Sequence, residues 1–309
     1  EKGWGSTRIV SFLVASAVLF SLFILAEARQ QRGMLDLSLF RRPAFAGASV
    51  VAFAISSSMF AMFLYFTLYI QDVLGYGPLA AGIRFLPITL ISFVAAPISG
   101  RLSVRVPIRL LLGAGLLLVA AGLLTMTAVE ASSGWTVLVP GFLLAGVGIG
   151  MINPPLASTA VGVVHHSRSG MASGINNTFR QVGIATGIAG LGAIFQHQVI
   201  HKTTALLTSS EAGRQAIAST HGHLAGALVS GEVHHLASHL PASSSAVLLH
   251  SYRVGFTGAF TNILEIAVLI AAVGAVFALL LVRSRDFVTS EEGAGAPAGE
   301  QELVGAPTA

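Results

Sequence analysis

Charged residues punctuate this chain so sparsely that its uncharged intervals map it. Ile9–Ala26 lies between Arg8 and Glu27, and Pro43–Gln71 between Arg42 and Asp72. Leu79–Ser99 is broken only by Arg84, and Leu110–Val129 runs from Arg109 to Glu130. The interval after Glu130 has its apolar core at Val137–Val164. Met171–Gln196 contains Arg180, and Val254–Val282 contains Glu265. A helix needs about 20 mostly apolar residues to cross a bilayer, so the pattern predicts seven spans. The runs are long and do not alternate with period two, which excludes a transmembrane barrel.

Residues 197–253 read differently, as a polar loop rich in Ser and His outside the membrane. Glu211–Ser219 and Glu232–Leu240 are candidate short surface helices within it. The Gly, Ala, Pro and Glu of residues 283–309 predict a disordered tail. Arginine orients the spans. The connections 27–42, 100–109 and 165–170 and the tail carry ten arginines, whereas the segments near 72–78 and 130–135 carry none. The positive-inside rule puts the arginine-bearing side and the C-terminus in the cytoplasm. Trp4 and Trp135 then fall at the outer interface, where amphipathic rings favour headgroup depth.

Composition agrees: 54% of the 309 residues are hydrophobic and 10% charged, against about 25% charged in ordinary soluble domains. The chain lacks cysteine, so disulfides and thiol chemistry are excluded. Its net charge of +4 reflects 15 arginines and two lysines. In a membrane chain that excess belongs to the loops and implies no nucleic-acid partner. No catalytic group, cofactor or metal is assigned.

Some residues carry candidate chemistry. Asn176, Asn177, Arg180 and Gln181 fall at i, i+1, i+4 and i+5, on one broad helix face. Polar groups in lipid are costly, so this face points into a bundle or an aqueous cavity. The readings are cavity lining with conformational coupling, or a buried arginine locking two helices. Glu265 is either a proton carrier at membrane depth or a carboxylate wetted near the outer end. Tyr65, Tyr69 and Asp72 lie at i, i+4 and i+7 and form a candidate outer rim, with Arg84 as the partner of Asp72; the alternative is a solvated helix end. Gly146, Gly148 and Gly150 do not make a dinucleotide loop, because Met151 stands at the third position and no acid follows before Glu211. With Pro154 and Pro155 they suggest close packing, alone or with a hinge. His235 and His239, at i and i+4, have zinc-compatible spacing; a solvated loop is the favoured alternative.

Three motifs in order resemble one family. The first runs from Leu68 to Tyr76 and continues through Pro78-Leu79, Ala81-Gly82 and Leu86-Pro87. The second is Gly146-Val147-Gly148-Ile149-Gly150 with Pro154-Pro155; the third is Gly170–Gly174 followed by Asn177, Arg180, Gln181, Gly183 and Gly187. Together they resemble the C-terminal half of the fourteen-helix drug:proton antiporters of the major facilitator superfamily. The resemblance implies an all-α membrane fold: residues 1–42 as one extra helix and linker, and residues 43–282 as a six-helix bundle. It implies that an N-terminal bundle of the same polypeptide is missing. It also implies export of drug-like or amphipathic small molecules in exchange for protons, across the lipid bilayer. Gly100, Arg101, Arg105 and Arg109 then fall in the family's gating loop, with Val104 and Pro107 where the family has an acid and a glycine. Alternatives are an exporter without proton coupling and a non-transporting scaffold or sensor.

Overall fold

The computed structural model describes residues 6–29, 37–164, 168–220 and 223–282. Trp4, His221 and the tail from 283 lie outside the described residues. Within them, seven helices are long and apolar enough to cross a membrane. The first, α1 (Thr7–Arg29), is apolar on every side, and none of its membrane window is buried.

The second span begins as α2 (Pro43–Ile55), with Pro43 at its first turn, where a missing N–H costs nothing. It continues through a π-helical turn, Ser56–Phe60, into α3 (Ala61–Leu68) and a second π turn, Tyr69–Val73. Three consecutive serines explain the first turn. Ser57 and Ser58 donate to the carbonyls of Phe53 and Ala54, at 2.8 and 2.6 Å. Such back-bonding competes with the helix ladder and bends it.

The third span is α4 (Pro78–Arg84) and α5 (Leu86–Leu102), broken at Phe85 just before Pro87. Then come α6 (Ile108–Met126), α7 (Val139–Gly162) and α8 (Ser169–Thr208). Three short helices follow: α9 (Glu211–Ser219), α10 (Leu224–Ser230) and α11 (Val233–Ser238). The last helix is α12 (Ala242–Leu281). In the bundle α7 lies between α5 and α6, and α12 packs on α6, α8 and α2. The core is aromatic at the end away from the arginine-bearing loops: Tyr69 stacks on Phe260 at 5.3 Å and 3°, and Phe66 meets Phe142 edge-on.

The polar segment 197–253 is less of a loop than its composition suggests. Helix α8 continues to Thr208 and α12 begins at Ala242, so each has 40 residues. At 1.5 Å per residue that is about 60 Å, well beyond the ~30 Å hydrocarbon core. The reason is a buried line at every fourth position of α8: Leu191, Phe195, Val199, Thr203 and Leu207. The other polar residues flank this line, Gln198 and Lys202 among them bonding Asn262 and the Gly258 carbonyl of α12, and lower the mean hydropathy without ending the helix.

Candidate functional site

The exposed surfaces of the bundle are of two kinds. Helix α5 presents Leu86, Leu90, Phe93, Val94 and Ile98. Such a surface suits lipid tails. Helix α8 exposes Asn177, Thr178, Gln181, Thr186, Ala189 and Gly190 instead, small or polar residues with the apolar Val182 among them, within a membrane-length helix. Hydrocarbon contact penalises such a face, which suits water or another polar surface.

The other side of α8 is fixed by contact with the second span. A Cβ at Gly183 would stand 2.7 Å from the Phe53 carbonyl oxygen, and one at Gly187 2.6 Å from that of Ser57. Only glycine allows this approach, and it brings α8 against the serine-rich π turn. Arg180 lies at the edge of the seam, half-buried, its guanidinium carbon 5.5 Å from the centre of the Phe60 ring. Asn176, one turn earlier, is buried, and its Nδ2 has no hydrogen-bond partner. Asn177 and Gln181 are exposed, so the four polar residues divide between the seam and the open face. Phe60 leads to Phe63 at 6.0 Å and on to Phe85 at 5.6 Å, all three partly exposed. Charge spacing gives no sign of this aromatic row; the signal was Phe60 and Phe63 three residues apart, with Phe85 at the break before Pro87.

Tyr65, Tyr69 and Asp72 do not act as one rim. Tyr65 donates from its hydroxyl to the Ile188 carbonyl on α8 at 2.8 Å, whereas Tyr69 donates to the Ser133 carbonyl at 3.1 Å. Both rings are buried. The second π turn, with Leu74 N–H donating to the Tyr69 carbonyl, changes the angle between Tyr69 and Asp72. Arg84 is not the partner of Asp72. Its guanidinium lies 3.4 Å from the centre of the Tyr76 ring and donates to the Ala80 carbonyl at 2.7 Å, with Trp135 at 5.3 Å. Cation–π stacking meets its charge locally, while its buried Nε has no hydrogen-bond partner. Asp72 faces the α10–α12 region: its carbonyl meets His234 Nε2 at 3.0 Å, and a cavity of about 220 Å³ there is lined by His250, Tyr252 and Arg253.

In α7 the glycines alternate between two neighbours. Gly146 and Gly150 abut the Ile88 and Ser92 carbonyls of α5, and Gly148 abuts the Gly115 carbonyl of α6. Pro154 and Pro155 lie inside the continuous helix. Pro155 has no N–H for the Met151 carbonyl, and Ser99 of α5 donates to that oxygen at 2.7 Å. Ser99 went unnoticed in the sequence, because only the fold sets it against Met151. Gly100 ends near Pro154, and Arg101, Arg105 and Arg109 are exposed at the arginine-bearing end.

Glu265 is exposed on α12, one turn from Asn262, whose amide donates to Gln198 at 2.5 Å. Sixteen residues separate it from Leu281, about 24 Å along the axis. His235 and His239 approach to 4.9 Å between ring centres. Among the described residues, no group of three metal-ligating side chains forms around them or elsewhere.

Seven membrane-length helices, six of them in one packed bundle with a polar wall, define a polytopic α-helical membrane protein. A family profile for the Major Facilitator Superfamily matches residues 3–188. The chain belongs to that superfamily. It is 34% identical over 194 residues to the multidrug resistance protein Stp of Mycobacterium tuberculosis, covering 63% of this chain and 36% of that protein. It is 31% identical over 238 residues to the puromycin resistance protein pur8 of Streptomyces alboniger, covering 76% and 44%. The tetracenomycin C resistance and export protein of Streptomyces glaucescens is 30% identical over 197 residues, covering 64% and 37%. The chain thus spans less than half the length of these relatives.

Proposed function

We propose that this chain supplies one of the two bundles of a secondary active exporter that moves amphipathic small molecules in exchange for protons. The observation that carries the reading is the small and polar open face of α8, set in a helix of membrane length. In a two-bundle transporter such a wall faces a second bundle across a midplane cavity, and rocking of the bundles alternates access. Relatives named for drug resistance and antibiotic export support the substrate class. Arg180, Asn176, Asn177 and Gln181 belong to the cavity wall. Tyr65 and Tyr69 hold the second span to its neighbours. Gly146, Gly148, Gly150, Pro154 and Pro155 form the packed seam along which α7 moves. Gly100, Arg101, Arg105 and Arg109 form the cytoplasmic loop, and the C-terminus is on the same side. Asp72 closes the outer end, and Glu265 is the acid at membrane depth whose proton exchange couples transport.

The test is efflux of a fluorescent amphiphile from vesicles that hold this bundle together with its partner bundle, with and without an imposed pH gradient. Gradient-stimulated efflux is the expected result. Counterflow indifferent to the gradient makes the protein an uncoupled exporter, and absence of both makes it a scaffold.

A further inference from the structure

We infer that the α8 wall binds an anionic aromatic group, with Arg180 as its cation, so the substrates of this exporter are aromatic acids or phenolates. The inference rests on the transport reading and adds the substrate class.

The first ground is the charge of the wall. Arg180 is within ion-pair distance of no carboxylate among the described residues, and its recorded neighbour is the neutral Phe60 ring. The acids of the bundle lie elsewhere. Asp72 is at the far end of the second span, beside His234. Glu265 is one turn from Asn262, which bonds Gln198, 18 residues beyond Arg180 on α8. That places the glutamate more than about 20 Å along the helix from the guanidinium. A guanidinium at membrane depth is costly unless something meets its charge. Its planar fork matches a carboxylate in two parallel hydrogen bonds.

The second ground is an unused donor. Asn176 is 7% exposed, and its Nδ2 lacks any acceptor. A buried donor normally finds a partner. One turn from Arg180, it adds an N–H to the same patch, and Asn177 and Gln181 add polar groups on the open side. The third ground is the row Phe60, Phe63 and Phe85 leading away from Arg180. Edge and face contacts on such a row favour aromatic rings over aliphatic chains. Together these groups form a positive, donor-rich pole continued by an aromatic wall.

A matched pair of xanthene dyes tests this. Fluorescein is anionic, and rhodamine 123 is a cationic ester of the same ring system. Equilibrium binding to the purified two-bundle protein and efflux from vesicles that contain it are both measured. Wild-type protein is expected to prefer fluorescein at least about tenfold. Arg180→Gln should lower fluorescein affinity about 10- to 100-fold, the range for a charge-assisted hydrogen bond, and leave rhodamine 123 unweakened. Arg180→Lys should keep the anion preference at reduced affinity. Equal handling of both dyes by wild type, or an equal loss of both in Arg180→Gln, overturns the anionic class while the transport reading stands. Displacement of fluorescein by inorganic phosphate as readily as by benzoate overturns the aromatic part. Efflux of neither dye, under any gradient, overturns the transport reading and this inference with it. Should the variants fail to accumulate, the wild-type ratio of fluorescein to rhodamine binding decides.

Discussion

His234 Nε2 lies 3.0 Å from the backbone carbonyl oxygen of Asp72, joining α11 to the end of the second span, 162 residues earlier in the chain. Arg253 donates to the next carbonyl, that of Val73, at 3.4 Å. These are the last carbonyls of a helix, where cations and N–H donors are favoured. The short helices therefore do not hang free of the bundle; they cap the end of the second span.

That cap predicts a cross-link. Gly231 has φ +78°, and a Cβ there would stand 3.2 Å from Asp72 Cγ. Cysteines replacing Gly231 and Asp72 should form a disulfide under mild oxidation, seen as a mobility shift lost on reduction. The native chain has no cysteine to compete. Free thiols at both positions after oxidation would show that α10 and α11 do not rest on this helix end.

Helix α8 approaches the second span at Gly183, and Gly190 meets nothing within 4 Å of a notional Cβ. Gly183→Leu should lower stability by about 1–3 kcal/mol through overpacking. Gly190→Ala should be neutral or stabilising by up to about 1 kcal/mol, since alanine restricts the unfolded chain. Thermal unfolding in detergent compares the two. Equal effects would mean that the α2–α8 seam is not closely packed.

Ser99 and Pro155 form a coupled pair through the Met151 carbonyl. Ser99→Ala should cost about 0.6 kcal/mol, with an upper range near 1.7 kcal/mol, as measured for such bonds within membranes. Adding Pro155→Ala supplies the missing N–H to the same oxygen and should recover much of the loss. A double-mutant cycle by chemical unfolding gives the coupling; strict additivity would separate the two residues.

Ser243, exposed at the start of α12, reports topology. With the arginine-bearing end in the cytoplasm, Ser243→Cys should react with an impermeant maleimide in intact cells. Labelling that requires lysis would reverse the orientation.

Glu265→Gln should leave counterflow of substrate intact and abolish its stimulation by a pH gradient, measured in the same vesicles. A carboxamide keeps the size and polarity of the side chain but cannot exchange a proton in this range. Persistent gradient stimulation would move proton coupling to another group.

The sequence by itself determined the seven spans, the all-α class and the family. Each follows from local quantities: the length of an uncharged run, the absence of period two, and motifs such as Gly146–Gly150 and Gly170–Gly174 read in order. It also singled out Arg180, because an arginine inside an apolar run is conspicuous without a fold. Tertiary structure decided which way such residues face and what they meet. The second π turn changes the angular step between Tyr69 and Asp72, and Tyr65, Tyr69 and Asp72 reach three different neighbours. Arg84 is met by Tyr76 and Trp135, which the turns leading into α4 and α7 bring together. The polar stretch 197–208 continues as helix because its every-fourth-residue line finds α12 to pack on. A partner lies at a sequence distance that no local pattern encodes. Lipid penalises charge wherever it occurs along a span, whereas packing depends on which helix stands alongside.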